Sequence, residues 1–296
     1  MTKILAIFIL TVSLLFVINC GSKKVPKDLS DEQLYDAAMK ELTEDKGGFP
    51  WIFKSRDYDM IFAYLKEIQL RFTYSPYAAL AELRTGDAYF EKEDYNQAAI
   101  EYEEFLKRHP GHAEAPYATY RLAQSYYKEI RSPDRDPLDT RLALQWFNTF
   151  VEKYPDSPLV PDARERAIRC RDRLARREIY IGNFYSRRDN YKAAAGRYQI
   201  VVNDYNDTKR YEEALFLLGK AYAKSDQYDL ARQTLNRLVQ EFPNQKYSEK
   251  ATSLLNDIQG KTPPPPSPPP SASPAPVPSP APQEEKKEEQ GQPKQG

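Results

Sequence analysis

The chain has 296 residues, with 43 Lys plus Arg against 43 Asp plus Glu, so no global field of one sign draws it to nucleic acid or an anionic surface. Two Cys and two His are too few for a Cys/His zinc cage or a haem motif. The length allows one or two domains with a full core and excludes a disulfide-stapled miniprotein.

At the amino end, Lys3 precedes an uncharged run from Ile4 to Val17 and then Val17-Ile18-Asn19-Cys20-Gly21. A basic residue, a short apolar stretch and a processing site match an export signal, whereas a spanning helix needs about 20 apolar residues. Residues 1–19 are therefore expected to be a lipoprotein signal peptide and Cys20 the site of lipidation. Val17 and Ile18 fit such a box and Asn19 departs from it; a plain signal peptide cleaved nearby is the other reading. Several acyl chains on Cys20, palmitate among them, would hold a soluble body to a bilayer. Gly21, which is not Asp, argues against retention in the inner membrane, and residues 20–30 read as a short polar tether. With Cys20 acylated, Cys170 is left without a disulfide partner.

From residue 31 to 260 the sequence repeats itself. Tyr58, Tyr95, Thr140, Tyr191 and Tyr228 share one phase. Three residues on stand Ile61, Ala98, Ala143, Ala194 and Ala231; seven on stand Leu65, Tyr102, Phe147, Tyr198 and Leu235. Ten on stand Ile68, Phe105, Phe150, Val201 and Leu238, and fourteen on Phe72, His109, Tyr154, Tyr205 and Phe242. These offsets trace one face of a helix, and Pro110, Pro155 and Pro243 end three of the five. A second helix precedes most of them. It carries Gly86, Gly182 and Gly219 nine residues before the anchor, where a neighbouring helix comes too close for a side chain, and Ala123 takes that place in the third unit.

Helix pairs at a minimum spacing of 37 residues look like tetratricopeptide repeats. The expected fold is all-α: a right-handed superhelical solenoid of about five such pairs, lining a concave surface, with a carboxyl-terminal capping helix over Tyr247 to Ile258. Two insertions interrupt the period. One is the loop Arg131 to Leu138; the other lengthens the first helix of the fourth pair, read from Pro158 to Arg187. Its fourteen extra residues turn a helix by about 1400°, close to four whole turns, so the packed face is kept. The first pair is broken by Gly47-Gly48-Phe49-Pro50-Trp51.

Residues 261–296 begin with a Pro/Ser/Ala stretch holding half of the 24 Pro and end in Gln283 followed by mixed Glu and Lys. Without an apolar face this segment is expected to be disordered and extended, a spacer or a ligand for a Pro-binding module.

No catalytic site emerges. His109 and His112 flank Pro110 at a repeat turn, and no phosphate-binding glycine motif is present. Cys170 lies among Arg166, Arg169, Arg171 and Arg173, and arginines lower a thiol pKa, but helical geometry leaves Arg166 and Arg173 as the ones that face it. A half-buried structural thiol is the favoured reading. Glu103 and Glu104 read as a solvated helix face, and the seven Arg between residues 164 and 177 as either such a face or a docking strip. The chain is expected to be no enzyme and to need no metal or cofactor beyond the lipid on Cys20.

Several stretches together resemble the BamD family of outer-membrane protein assembly lipoproteins. They are Ser132-Pro133-Asp134-Arg135-Asp136-Pro137, Lys153-Tyr154-Pro155-Asp156-Ser157-Pro158, Asp162-Ala163, the run from Arg173 to Tyr180, and the aromatic turn Phe72-Thr73-Tyr74-Ser75-Pro76-Tyr77. The resemblance implies an outer-membrane, lipid-anchored scaffold facing the periplasm. It implies partners too: the insertase BamA, other assembly-machinery subunits, and the terminal strand signal of unfolded β-barrel proteins. On that resemblance Phe72, Tyr74, Pro76 and Tyr77 become candidates for client contact, and Arg135, Asp136 and Arg197 for the BamA interface. Asp136 has an equal claim as a turn residue capping the next helix. The Pro-rich tail is outside the family pattern. A repeat lipoprotein coordinating peptidoglycan or cell-division complexes is the rival function.

Overall fold

A computed structural model of the chain describes residues 25–43, 56–132 and 135–262. Cys20 and its signal, the Gly47–Trp51 interruption and the tail from 263 onward lie outside these residues. The described residues form eleven helices and no strand. α1 (Asp31–Thr43) and α2 (Tyr58–Arg71) make the first pair, and α3 (Pro76–Glu91) and α4 (Tyr95–Arg108) the second. α5 (Ala115–Lys128) and α6 (Leu138–Lys153) follow, then α7 (Val160–Ser186) with α8 (Tyr191–Asp204), and α9 (Tyr211–Lys224) with α10 (Tyr228–Glu241). α11 (Lys246–Asp257) caps the stack, packing on both α9 and α10. Each helix packs chiefly on its sequence neighbours, as a solenoid of tetratricopeptide type requires.

The repeat register sets both the core and the helix ends. Every side chain at the third, seventh and tenth places after an anchor is at most 1% exposed, from Ile61 to Leu238. Each residue at the fourteenth place is the C-cap of its helix, and its backbone N–H donates to the carbonyl of the tenth: Phe72 to Ile68, His109 to Phe105, Tyr154 to Phe150, Tyr205 to Val201, Phe242 to Leu238. Four anchors are first residues of their helices, and before three of them a short polar side chain caps the start. Asp57 accepts from the Met60 N–H, Asp94 from Gln97 and Asn190 from Ala193. The tight turns that enter these helices put Glu93, Asp189 and Asp226 in the left-handed region at φ of 65°, 57° and 59°.

The recurrent glycines admit the ring or branch of the seventh-place residue. A Cβ built on Gly86 would lie 2.8 Å from the Tyr102 ring, and on Gly219 2.5 Å from Leu235; on Gly182 it would collide with the Tyr198 ring more closely still. Across two of these contacts the phenol then donates to the residue after the glycine, Tyr102 to Asp87 and Tyr198 to Asn183 at 2.8 Å.

Two differences from the sequence reading have local causes. Residues 25–30 are not a free tether: Val25 and Leu29 pack on the first core, and Arg71 donates to the Lys27 carbonyl at 2.9 Å. Ser30 and Gln33 then exchange hydrogen bonds in a capping box that starts α1. The long helix begins at Val160 and not Pro158, because the Val160 N–H turns back to the Ser157 carbonyl. Its amino half, with Val160, Ala163, Ala167 and Cys170, belongs to the α5–α6 core, and its carboxyl half, with Ala175 and Ile179, to the core that runs on to α11.

Gly182→Ala is expected to lower stability in urea denaturation by about 1–3 kcal/mol, because the Tyr198 ring is buried and hydrogen-bonded and has nowhere to move. Gly196→Ala, within α8 and facing open space, should raise it by about 0.5–1 kcal/mol.

Candidate functional site

Two surfaces gather the residues singled out in the sequence. The first is the turn between α2 and α3. Ser75 is the N-cap of α3; its hydroxyl accepts from the Tyr77 N–H at 3.0 Å and donates to Asp31 at the start of α1. The turn is thereby pinned to the first helix. Phe72 is half-buried against the first core with the Arg71 guanidinium 4.9 Å from its ring centroid, and Tyr77 stacks at 5.3 Å on Tyr35. Tyr74, at 103% relative exposure, projects fully into solvent, and Pro76 is exposed at the first turn of α3. The aromatic turn thus divides into two side chains that build it and two that it presents.

The second surface joins the two insertions, which lie about forty residues apart in sequence. Arg173 on α7 donates to the Arg131 carbonyl at 3.0 Å, and Arg177, one turn on, donates to the Arg135 carbonyl. The lengthened helix therefore clamps the loop through its backbone. Asp136 accepts the Leu138 N–H at 3.0 Å, so it does act at the start of α6, while its carboxylate and the Arg135 side chain remain exposed. Arg197 on α8 pairs with Glu178 at 3.2 Å, and Glu178 adjoins Arg177 in sequence. Arg135 and Arg197 are thereby tied to consecutive residues of one helix, with Asp136 next to Arg135 in the loop.

Most of the basic run on α7 is engaged in the fold. Arg166 pairs with Asp162 at 2.6 Å, Arg169 with Glu165 at 2.5 Å and Arg171 with Asp207 at 2.6 Å. Cys170 is fully buried and not half-buried. Desolvation outweighs the pull of Arg173 and Arg166 and pushes its thiol up to about 12, the opposite of an activated cysteine. Both histidines are absorbed by their turn: the His109 Nε2 lies 2.8 Å from Glu82, and His112 Nδ1 accepts the Glu114 N–H at 3.1 Å.

One polar cluster was not foreseen. Asp87, 5% exposed between α3, α4 and α5, accepts from Tyr102, from Tyr117 at 2.8 Å and from Arg84 at 2.7 Å, with Arg121 at 3.6 Å. Arg84 reaches on to the Tyr35 hydroxyl of α1 at 3.2 Å, and Arg121 lies 3.7 Å over the Phe90 ring. Burial first, then the Asp87 charge, holds the Tyr102 phenol well above its ordinary pKa, so it remains a donor. Two guanidiniums and one buried carboxylate lock three repeats into one angle. The available signal was an acidic residue following a repeat glycine, in the place that Asn183 occupies after Gly182.

Fold and surfaces together define an all-α helical-repeat protein of tetratricopeptide type. Residues 27–234 match the family model YfiO, described as outer membrane lipoprotein, and the chain belongs to that family. It is similar to outer membrane protein assembly factor BamD of Neisseria meningitidis, at 30% identity over 66% of this chain and 73% of the relative, and to BamD of Haemophilus influenzae, at 31% over 75% and 84%. Its place is accordingly in outer-membrane protein assembly. Among solved structures, the TPR2AB domain of yeast Sti1 gives a TM-score of 0.37 at 13% identity over 75% of this chain and 86% of that one, a likeness too weak to bear on function. No helix among the described residues is long and apolar enough to cross a membrane.

Asp87→Ala, which takes the carboxylate from half-buried Arg84 and leaves Arg121 with only Glu91 at 3.5 Å, is expected to cost about 3 kcal/mol. Hydrogen exchange should report the loss in α3–α5 while α9–α11 keep their protection, since repeats couple only to their neighbours. In a Cys20→Ala chain, Cys170 should stay unreactive to a thiol reagent at pH 8 until denaturant is added; rapid labelling of the folded protein would contradict its burial.

Proposed function

We propose that the chain is a non-catalytic scaffold of outer-membrane β-barrel assembly that holds an unfolded client at its first repeats and the insertase BamA further along the stack, at its third and fourth. Family membership over residues 27–234 carries the reading. The geometry allots the faces. A pinned turn that presents Tyr74 and Pro76 suits an extended, aromatic strand end, because alternate side chains can dock while the rest stay solvated. The clamped loop suits a protein partner: Arg135 and Asp136 are charged, exposed and held by backbone contacts, and Arg197 flanks them through Glu178. A lipid on Cys20 would keep the body at the periplasmic surface of the outer membrane, since two or more acyl chains suffice for stable anchoring. Binding, orientation and release are then the whole mechanism, with other assembly-machinery subunits as further partners and no bond made or broken.

Affinity purification of the full chain from its own membranes should recover BamA. The Arg173→Glu/Arg177→Glu variant, which frees the loop without touching a core residue, should lose most of that recovery while keeping its helical circular dichroism. Tyr74→Ala should leave BamA recovery intact and weaken capture of a barrel-protein terminal peptide by about 1–2 kcal/mol. Purification without BamA, together with normal barrel insertion after depletion of the protein, would defeat the reading.

A further inference from the structure

At the far end of the solenoid from the aromatic turn, α9 and α11 enclose an open groove of about 320 Å³. Its apolar lining comes from Phe216, Leu254 and Ile258. Around it stand Lys220 and Lys224 from α9, Lys250 from α11 and Lys261 just beyond, with Asp257 as the acid in the lining. All four lysines are exposed, and no ion pair within 4 Å is found for any of them among the described residues. Two of the ammonium groups rest on rings instead: Lys250 lies 5.4 Å from the Tyr247 centroid and 6.0 Å from Phe216, and Lys261 lies 5.9 Å from Tyr228. This contrasts with the same region's arginines, since Arg210, Arg232 and Arg237 each have a carboxylate partner. Lys220 and Lys224 are also one helical turn apart, a like-charge spacing that works against α9.

We propose that this groove docks an acidic segment of a partner protein, with an apolar side chain entering over Leu254 and Phe216 while flanking carboxylates meet the lysines. The inference goes beyond the assembly role above, whose faces lie on other helices. Charge complementarity selects the occupant. An excess of three positive charges around an apolar floor is relieved by carboxylates on either side of an apolar residue, and the cation–π contacts of Lys250 and Lys261 hold their ammonium groups without neutralising them. The recessed floor suits a side chain better than a flat bilayer of headgroups. The chain's own tail is a weaker complement, because Lys286 and Lys287 sit between its two Glu pairs.

The test is fluorescence anisotropy with the full-length Cys20→Ala chain and a fluorescein-labelled peptide of sequence Glu-Glu-Leu-Phe-Glu-Glu at low ionic strength. Saturable binding is expected that Lys220→Ala/Lys250→Ala weakens by about ten-fold or more, that added salt weakens steeply, and that Lys220→Arg/Lys250→Arg retains. Lys107→Ala/Lys153→Ala, in the lysine-bearing cleft between α4 and α6, should bind as the parent does. Circular dichroism melting of each variant, all at exposed sites, confirms folding. The proposal is overturned if the two alanine pairs lose affinity equally or the first loses none. It is also overturned if a peptide of residues 283–296 displaces the probe at lower concentration than unlabelled probe does. Loss of binding to phosphatidylglycerol vesicles in the Lys220→Ala/Lys250→Ala variant, with peptide binding unchanged, would reassign the groove to lipid.

Discussion

A large side chain of the second helix lying over a residue with little or no side chain on the first is the contact on which the solenoid depends. Tyr102 over Gly86, Tyr198 over Gly182 and Leu235 over Gly219 bring paired helices closer than any Cβ would permit. That distance fixes the angle within each pair, and repetition of the angle fixes the curvature of the stack. Where the third unit has Ala123 and Phe147 instead, the pair still closes, with both residues fully buried. The cost of glycine in a helix is met by packing that no other residue would allow.

Because contacts run only between neighbours, any feature that spans repeats has to be built on top of the stack. The Asp87 cluster is one such feature, linking α1, α3, α4 and α5 through Arg84, Arg121 and two phenols. The clamp of α7 on the loop before α6 is another. Each lies beside a presented surface: the first stiffens the pairs that carry Tyr74, and the second holds Arg135 and Asp136. Rigidity at those places lowers the ordering cost of anything that binds there.

The charges follow the same division of labour. Those within the stack are neutralised at short range, as with Arg171 on Asp207 and Arg166 on Asp162, and their neighbour Cys170 is sealed away from solvent. Some of those left over gather at the α9–α11 groove, where four exposed lysines meet one acid, and in the loop before α6, where Arg135 and Asp136 are exposed. A net charge of zero over the whole chain thus conceals local fields of definite sign.

The sequence by itself determined the helix pairs, their register and their core, because each follows from short-range periodicity: the third, seventh and tenth places are buried and the fourteenth ends the helix in all five units. Interruptions of the same period marked the two insertions, and the family resemblance picked out the aromatic turn. Tertiary structure alone decided that the insertions meet, since Arg173 and Arg177 bond to backbone carbonyls, and a carbonyl acceptor leaves no mark in the amino-acid pattern. It alone decided that Asp87 is the hub of four helices, that Phe72 and Tyr77 build the turn while Tyr74 is offered by it, and that the Cys170 thiol is raised and not lowered. In each case the deciding quantity was desolvation or contact between segments tens of residues apart, which depends on how repeats stack and not on the residues of any one of them.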